Sequence, residues 1–246
     1  MNKLKKQNTE LLITTISKML EGLNHVAVGA SSPIPGAAAL LASEKGHGLP
    51  KVTILGSQKL NHFTDGGKEL FDCAAQGRID AFFLGGGQID GLANINLVGL
   101  GKYPNLFRCF PGSYGSSYLY FLIPRVILFR EEHSNRVFVP KVDFISAPGI
   151  SGKNIYRKGG PYALVTSRCV FKWNIHYKCF VLESLHPSET IEAIKANTGF
   201  NFCINKDVKS TLLPTQHEID LIYGSVGHQI ADTYPDFATK QLGLKF

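Results

Sequence analysis

The chain has 246 residues, of which 44% are hydrophobic and 18% are charged, and its formal net charge is +7. This composition is typical of a folded globular protein and excludes an intrinsically disordered one. The basic residues are spread along the sequence and form no stripe interleaved with aromatic residues, so we expect no nucleic-acid partner. A positive charge instead suits a site for a phosphate-bearing ligand.

Five cysteines are widely spaced and form no Cys-x-x-Cys pair. Neither a zinc site nor a disulfide framework is therefore indicated, and a reducing, cytoplasmic environment is expected. The N-terminal segment lacks the apolar run and cleavage site of a signal peptide. The most apolar window, Leu119–Phe129, is interrupted by Pro124 and Arg125 and is shorter than the ~20 residues of a membrane span. The sequence thus predicts no bound metal and no membrane association.

The first third of the chain alternates between helical and strand patterns. Apolar residues at helical spacing predict a first helix over Asn8–Glu21. Short buried strands are predicted at His25–Ala30, Lys51–Leu55 and Ile79–Gly85, with helices between them. This rhythm is typical of parallel crossover units, so we predict an α/β fold with an open, mostly parallel sheet and helices on both faces.

After Phe107 the pattern changes to strand-like runs joined by short turns, which favours an antiparallel second half. The predicted strands lie at 108–110, 125–129, 136–140, 142–146, 162–173 and 177–185, and Ser116–Leu122 is predicted to be helical. A helix capped at Ser188 and ended by Gly199 follows. We predict a single domain over residues 1–246, in which about 205–246 form a C-terminal helical extension.

The carboxyl ends of parallel strands are the usual ligand-binding edge of such a sheet. Here those ends read GASSPIPG, GSQKLNH and GGGQIDGLANIN, rich in Gly, Ser, Asn and Gln. Each glycine could also simply end its strand. The run Gly85, Gly86, Gly87 fits neither a dinucleotide fingerprint nor a Walker loop. It can instead expose backbone N–H groups to a thioester carbonyl or a pyrophosphate.

The candidate binding residues are these three glycines, three polar residues after them, and serines at the other two strand ends: Gly85, Gly86, Gly87, Gln88, Asn94, Asn96, Ser31 and Ser57. Gly86 and Gly87 are expected to donate backbone hydrogen bonds. Gln88 and either asparagine would touch substrate or brace the loop, and Ser31 would face the ligand or cap the next helix. Asp90 is expected to be a structural brace. The sequence contains no serine nucleophile elbow and no paired zinc-binding histidines.

Four segments in this order, DAFFLGGGQIDGLANIN, PGSYGS, RVFVPKVDFISAPG and LHPSETIEAIKANTGF, resemble the β subunits of family I CoA-transferases. The glutaconate type and the related ring-cleaving CoA hydrolases of steroid degradation are the most similar, over about Val26 to Phe202. The resemblance implies a CoA-transferase (NagB/RpiA-like) fold and a cytoplasmic α2β2 heterotetramer with an α subunit. It also implies an active site shared by the two chains and an acyl-CoA substrate. Coenzyme A would enter as part of that substrate, with no other cofactor bound.

In this family the β subunit usually supplies a glutamate just after the strand matching Lys51–Leu55, and its carboxylate attacks the thioester. Here Leu55–Ser57 occupies that place, and the nearest glutamates, Glu44 and Glu69, lie on predicted helices. In the ring-cleaving hydrolases the β subunit also lacks this glutamate, and the α subunit provides the base. The resemblance thus predicts hydrolytic C–C cleavage of a cyclic keto acyl-CoA, with no catalytic residue assigned here. Classical CoA transfer between carboxylic acids and a non-catalytic acyl-CoA-binding subunit are the alternatives.

The sequence departs from the family pattern at two further places. Ala93 stands where a glycine is usual before Asn94, and Tyr114 and Tyr118 crowd a segment that normally carries smaller residues. A bulkier wall of this kind indicates either a different substrate pocket or a chain that has drifted from catalysis.

Overall fold

The computed structural model describes residues 3–245 and divides the chain into two compact units. The first unit contains the chain up to Phe83 together with the chain from Leu212 onward, and the second contains Leu84–Thr211. The α/β fold expected from the sequence is present. No helix within residues 3–245 is long and apolar enough to cross a membrane.

In the first unit, strands alternate with helices in the predicted rhythm. The elements are α1 (Lys3–Lys18), β1 (His25–Val28), α2 (Pro33–Lys45), β2 (Lys51–Ile54), α3 (Gly66–Ala75) and β3 (Ala81–Leu84). Strand β1 lies between β2 and β3 and runs parallel to both. Its residues Val26, Ala27 and Val28 are fully buried, as expected for a central parallel strand.

The C-terminal helices also belong to the first unit. They are α6 (Gln216–Tyr223), α7 (Ser225–Ala231), α8 (Pro235–Phe237) and a π-helical turn (Ala238–Leu242). A capping box starts α6: Thr215 Oγ1 accepts from the N–H of Glu218 at 3.2 Å, and Glu218 Oε2 accepts from the N–H of Thr215 at 2.9 Å. Lys45 Nζ donates to Glu218 Oε1 at 2.9 Å, which ties α6 to α2. The helical extension thus begins at Gln216.

The second unit contains one larger sheet, two hairpins and two helices. Its elements are β4 (Gln88–Ile89), β5 (Ile95–Asn96), β6 (Gly99–Lys102), β7 (Asn105–Cys109), α4 (Ser116–Leu122), β8 (Arg125–Arg130), β9 (Pro161–Thr166), β10 (Cys169–Asn174), β11 (Cys179–Leu185), α5 (Ile191–Ala196) and β12 (Cys203–Ser210). The sheet strands are ordered β12-β11-β10-β9-β8. Strand β10 is antiparallel to β9 and β11, whereas β8–β9 and β11–β12 are parallel. Within this sheet the antiparallel pairing predicted from the sequence is confined to β9, β10 and β11, and the hairpins β4–β5 and β6–β7 are also antiparallel.

Two strands predicted in this unit are wrong. Residues 136–140 and 142–146 form a loop that meets the β4–β5 hairpin through bridges at Ile89–Phe138 and Ile95–Ala147. Their strand-like apolar pattern arises because Phe138 and Val142 are buried within that loop.

The boundary of the extension and one helix cap also differ from expectation. Residues 203–210 form strand β12, which lies inside the segment predicted to be helical from about 205. Most of its side chains are exposed, so it lacks the buried face that marks a strand in sequence. Helix α5 is capped at Thr190, whose Oγ1 accepts from the N–H of Ala193 at 3.1 Å, and not at Ser188.

Candidate functional site

The glycine run leads from β3 into the β4–β5 hairpin. The N–H of Gly87 donates to the carbonyl of Asn96 at 2.9 Å. A Cβ on Gly86 would lie 2.5 Å from Ile95 Cγ2, and one on Gly87 would lie 2.2 Å from the Phe110 ring. Close packing therefore requires glycine at both positions. Within residues 3–245 the N–H of Gly86 has no backbone acceptor.

The side chains of Gln88 and Asn96 form a buried amide pair across the hairpin. Asn96 Nδ2 donates to Gln88 Oε1 at 2.8 Å and to the carbonyl of Gly99 at 2.7 Å. Asn96 Oδ1 accepts from the N–H of Val98 at 3.0 Å. Gln88 Oε1 also accepts from the N–H of Asp143 at 2.9 Å. Gln88 Nε2 has no acceptor in the described part of the chain, so one donor of this pair stays available.

Asp90 closes the turn of the hairpin. Its Oδ1 accepts from the N–H groups of Leu92 at 3.0 Å and Asn94 at 3.1 Å. Its Oδ2 accepts from Asn94 Nδ2 at 3.1 Å and from the N–H of Val142 at 3.4 Å. Asn94 Oδ1 in turn accepts from the N–H of Gly149 at 3.1 Å. Asp90 is thus a structural brace, as the sequence predicts, and Asn94 extends that brace to the following loop.

Ala93 lies at the tip of this turn with φ 59°, in the left-handed region that favours glycine. Its N–H donates to the carbonyl of Asp90 at 2.9 Å, and its own carbonyl accepts from Tyr120 Oη at 3.0 Å. Tyr120 is fully buried, and that burial raises the pKa of its phenol. The alanine therefore occupies a turn whose backbone is fixed from both sides.

A cavity of about 550 Å³ opens beside the turn and falls within the usual size range of ligand pockets. Asp90 and Asn94 contribute to one wall, and Phe200 supplies an apolar surface. Two exposed lysines, Lys141 and Lys178, also line it. A cavity with this lining suits a ligand that carries both an apolar part and an anionic group.

In the first unit, the segment after β2 folds into a turn held by its own hydrogen bonds. Ser57 is buried, and its Oγ accepts from the N–H of Leu60 at 3.0 Å. Asn61 Nδ2 donates to the carbonyl of Leu55 at 3.2 Å. Ser31 is exposed between β1 and α2, while Ser32 takes the N-cap position of α2 without a side-chain capping bond.

The two glutamates nearest this turn in sequence are engaged by the fold. Glu69 Oε2 accepts from the N–H of Thr64 at 2.6 Å and from the N–H of Asp65 at 3.2 Å. These hydrogen bonds lower the pKa of Glu69, and the bond from Thr64 has the largest effect. Glu44 Oε1 accepts from Gln229 Nε2 at 2.7 Å. Glu44 lies on α2 and Glu69 on α3, so neither carboxylate belongs to the turn directly after β2.

Two positioning residues have no signal in the sequence. Ser146 Oγ donates to the carbonyl of Ile95 at 2.8 Å and accepts from the N–H of Leu97 at 2.8 Å, which fixes the hairpin to its neighbouring loop. The guanidinium of Arg157 donates to the carbonyls of Pro148, Gly159 and Tyr120 at 2.7, 2.9 and 3.0 Å. Both act on backbone groups distant in sequence, which no local pattern reveals.

The sequence model of the family described as Coenzyme A transferase matches residues 18–197. The chain belongs to the coenzyme A transferase family. It is 32% identical over 152 residues to one subunit of the 3-oxoadipate CoA-transferase of Pseudomonas knackmussii, covering 59% of this chain and 58% of the relative. It is 30% identical over 134 residues to one subunit of the glutaconate CoA-transferase of Acidaminococcus fermentans (52% and 50% covered). It is also 30% identical over 159 residues to the IpdB component of the cholesterol ring-cleaving hydrolase of Rhodococcus jostii (63% and 62%).

The chain spans between half and about three-fifths of the length of these curated relatives. Solved structures are similar in fold over a larger share of the chain than the sequence matches cover. The glutaconate CoA-transferase of Acidaminococcus fermentans superposes with a TM-score of 0.77 at 22% identity, covering 88% of this chain and 93% of that one. Rhodococcus jostii IpdAB gives a TM-score of 0.75 at 23% identity over the same shares. The family model confirms the family resemblance inferred from the sequence, and the structural matches confirm the α/β fold.

Proposed function

We propose that this CoA-transferase chain is the β subunit of a heteromeric enzyme that acts on an acyl-CoA thioester and shares its active site with an α subunit. Within that class we propose hydrolytic C–C cleavage of a cyclic keto acyl-CoA, of the kind used in steroid breakdown. The relatives support the class because all three are named as subunits, two of transferases and one of a ring-cleaving hydrolase.

The observation that carries the choice of hydrolysis is the turn after β2. A transferase that works through a glutamyl thioester needs a carboxylate there, and this chain has Leu55–Ser57, with Ser57 Oγ used to hold the turn. Without that nucleophile, coenzyme A has no acceptor on this subunit. Hydrolysis needs only a base that activates water: the oxygen adds to the ring carbonyl, the neighbouring C–C bond breaks, and a proton goes to the carbon next to the thioester. We propose that the α subunit supplies this base.

This chain's own part is to hold the thioester carbonyl. We propose the N–H of Gly86 and the Nε2 of Gln88 as the donors, since each lacks an acceptor within residues 3–245. The amide of Gly87 already donates to Asn96, and Gly85 would shape the approach of the ligand. Hydrogen bonds of this kind stabilise the negative charge that develops as the C–C bond breaks. Ser31 lies at another strand end and would border the pantetheine arm.

The test is turnover by the assembled enzyme. The chain is co-expressed with a candidate α subunit of the same family, and the purified complex is incubated with cyclic keto acyl-CoAs, with and without an acceptor carboxylate. Ring-opened CoA product without an acceptor is the expected result. Intact-mass analysis after incubation should show no CoA-derived adduct on this chain.

Two outcomes would replace the proposal. Transfer of CoA to the acceptor, with an adduct on this chain, would mean that classical transferase chemistry survives without a glutamate after β2. Saturable acyl-CoA binding without turnover would assign the chain to a non-catalytic binding subunit. Gln88→Leu should lower kcat if the enzyme hydrolyses its substrate or transfers CoA. It should leave acyl-CoA binding unchanged if the chain is a non-catalytic binding subunit.

A further inference from the structure

The positive charge of the protein is concentrated in one segment. Residues 144–182 contain no aspartate or glutamate, and their six basic residues account for +6 of the formal net charge of +7. These residues are Lys153, Arg157, Lys158, Arg168, Lys172 and Lys178. Aromatic residues lie among them, Tyr156, Tyr162, Trp173 and Tyr177. The segment therefore carries most of the net charge because it lacks acidic residues, although the basic residues themselves are spread along the chain.

Three of these basic residues line one cavity of about 240 Å³, the basic cavity: Arg157, Lys158 and Lys178. Trp173 and Ile175 form its apolar wall. The indole of Trp173 forms a T-shaped contact with the ring of Phe180, with ring centroids 5.1 Å apart. This contact restricts the orientation of the indole. The cavity is smaller than the about 300–1,000 Å³ typical of a whole ligand, which suits one end of a longer molecule.

The charges at this cavity are not neutralised by carboxylates of the described chain. Among residues 3–245, Lys158 and Lys178 form no ion pair, in contrast to Arg168, which lies 3.6 Å from Glu189. Arg157 is held in place by three backbone carbonyls and by the rings of Tyr120 and Phe121, and it has no carboxylate partner among residues 3–245. Two unpaired lysines and an indole that line one cavity are suited to an anion attached to an aromatic ring.

The position of the basic cavity indicates in which direction a bound ligand would extend. Lys178 lines both this cavity and the larger one beside Asp90 and Asn94. A ligand whose end occupies the basic cavity can therefore extend past Lys178 toward the hairpin turn. Coenzyme A has this form, with an aromatic base and phosphates at one end and a long arm that carries the thioester.

We propose that the basic cavity binds the nucleotide end of the CoA thioester, with the adenine against Trp173 and the phosphates at Lys158 and Lys178. This inference rests on the proposed function for its ligand. The binding itself requires only the adenosine bisphosphate, so it can be tested without the reaction.

Trp173 is the one tryptophan of the chain and reports directly on the cavity. The full chain is titrated with adenosine 3′,5′-bisphosphate, and a saturable change in tryptophan fluorescence is expected. Lys158→Gln and Lys178→Gln should each weaken binding about tenfold, because each removes one charge-assisted contact to phosphate. Lys206→Gln, an exposed lysine on β12, removes the same charge elsewhere and should change nothing.

Three results would overturn the proposal. The first is no saturable signal. The second is inorganic phosphate competing as well as the nucleotide, which would indicate a simple anion site. The third is a single-stranded oligonucleotide binding more tightly than the bisphosphate, which would indicate a polyanion surface.

The reaction separates this proposal from the proposed function. In the complex with the α subunit, Lys158→Gln should raise KM for acyl-CoA about tenfold with kcat unchanged, and should not affect an acyl-pantetheine that lacks the nucleotide. Nucleotide binding without turnover of any acyl-CoA would remove the proposed function and leave the cavity assignment standing. Turnover that is indifferent to both lysine variants would remove the cavity assignment alone.

Discussion

The carboxylate of Asp90 holds both the backbone and the side chain of Asn94. Oδ1 accepts from the N–H of Asn94 at 3.1 Å, and Oδ2 accepts from its Nδ2 at 3.1 Å. Both residues are buried, and the same carboxylate also accepts from the N–H of Leu92 at 3.0 Å. The turn that borders the larger cavity is thus built around one acidic side chain.

Replacing Asp90 by asparagine should destabilise the protein by about 1–3 kcal/mol. One carboxylate oxygen is lost, and the N–H groups that donated to it are left without a hydrogen-bond acceptor. The midpoint of urea unfolding measures this effect. Asp207→Asn, on the exposed strand β12, makes the same chemical change without a buried network and should leave the midpoint unchanged. Equal midpoints for the two variants would show that the Asp90 hydrogen bonds add nothing to stability.

The glycine run gives a second prediction. Gly87→Ala should destabilise the fold by roughly 1–3 kcal/mol, since its new Cβ would meet the ring of Phe110 at 2.2 Å. Gly152→Ala is the control, because the nearest atom to its Cβ is Ile155 Cδ1 at 3.9 Å. Combining Gly87→Ala with Phe110→Ala should recover part of the loss in thermal midpoint. A double variant as unstable as the sum of the two single ones would indicate that the clash is not with this ring.

The parallel strands of the first unit could be predicted because their apolar runs are short, fully buried and separated by helical patterns. Helix α4 could also be predicted, at Ser116–Leu122. Strand β12 could not, because a strand with exposed side chains carries no periodic apolar signal. The loop around Phe138 was wrongly predicted as a strand because it contains buried apolar residues, and these give the same sequence pattern as a strand.

The residues of the candidate site could be chosen from the sequence, but their contacts could not. Glycines and amides at strand ends predict a binding edge, which stays a prediction, and the hairpin places Gly86, Gln88 and Asn96 together. Asn96 Oδ1 and Asp90 Oδ1 accept from backbone amides two to four residues away, whereas Asp90 Oδ2 also accepts from the N–H of Val142, a contact that only the fold creates. The basic cavity was hidden for a related reason: three residues that line it, Arg157, Trp173 and Lys178, are brought together only by the fold.

The pair Cys179 and Cys203 gives a third prediction. Their Sγ atoms lie 3.1 Å apart on the neighbouring parallel strands β11 and β12, and Cys203 is exposed. Treatment with the azo oxidant diamide should join them in an intramolecular disulfide, with two thiols lost and the azo compound reduced. Burial raises the pKa of Cys179 to about 11, so the reaction should be faster at alkaline pH. Peptide mapping identifies the bond. A bond from either cysteine to Cys109 would contradict this pairing.

Two buried histidines of the second unit, His133 and His186, both form hydrogen bonds with Thr166. His133 Nε2 is 2.9 Å from Thr198 Oγ1, and His186 Nε2 donates to the carbonyl of Thr166 at 2.9 Å. Burial lowers the pKa of each to about 4, and for His133 the nearby charge of Arg168 contributes to that shift. Both imidazoles are therefore neutral in the folded protein near neutral pH.

This pairing makes stability depend on pH in a defined window. Between the ordinary histidine pKa of 6.5 and the folded value of about 4, the unfolded chain binds more protons than the folded one, so stability falls as the pH falls. Each histidine contributes up to roughly 3 kcal/mol to this loss. Thermal midpoints should be flat above pH 7 and decline from about 6.5 to 4.

The non-titrating variant His186→Asn should flatten that decline, while the exposed His47→Gln should leave it unchanged. Replacement of His186 also removes a buried donor, so the His186→Asn curve should lie lower at pH 7 and converge with the unsubstituted protein toward pH 4. Curves that stay parallel across the window would show that His186 does not titrate on unfolding and that other groups set the acid sensitivity.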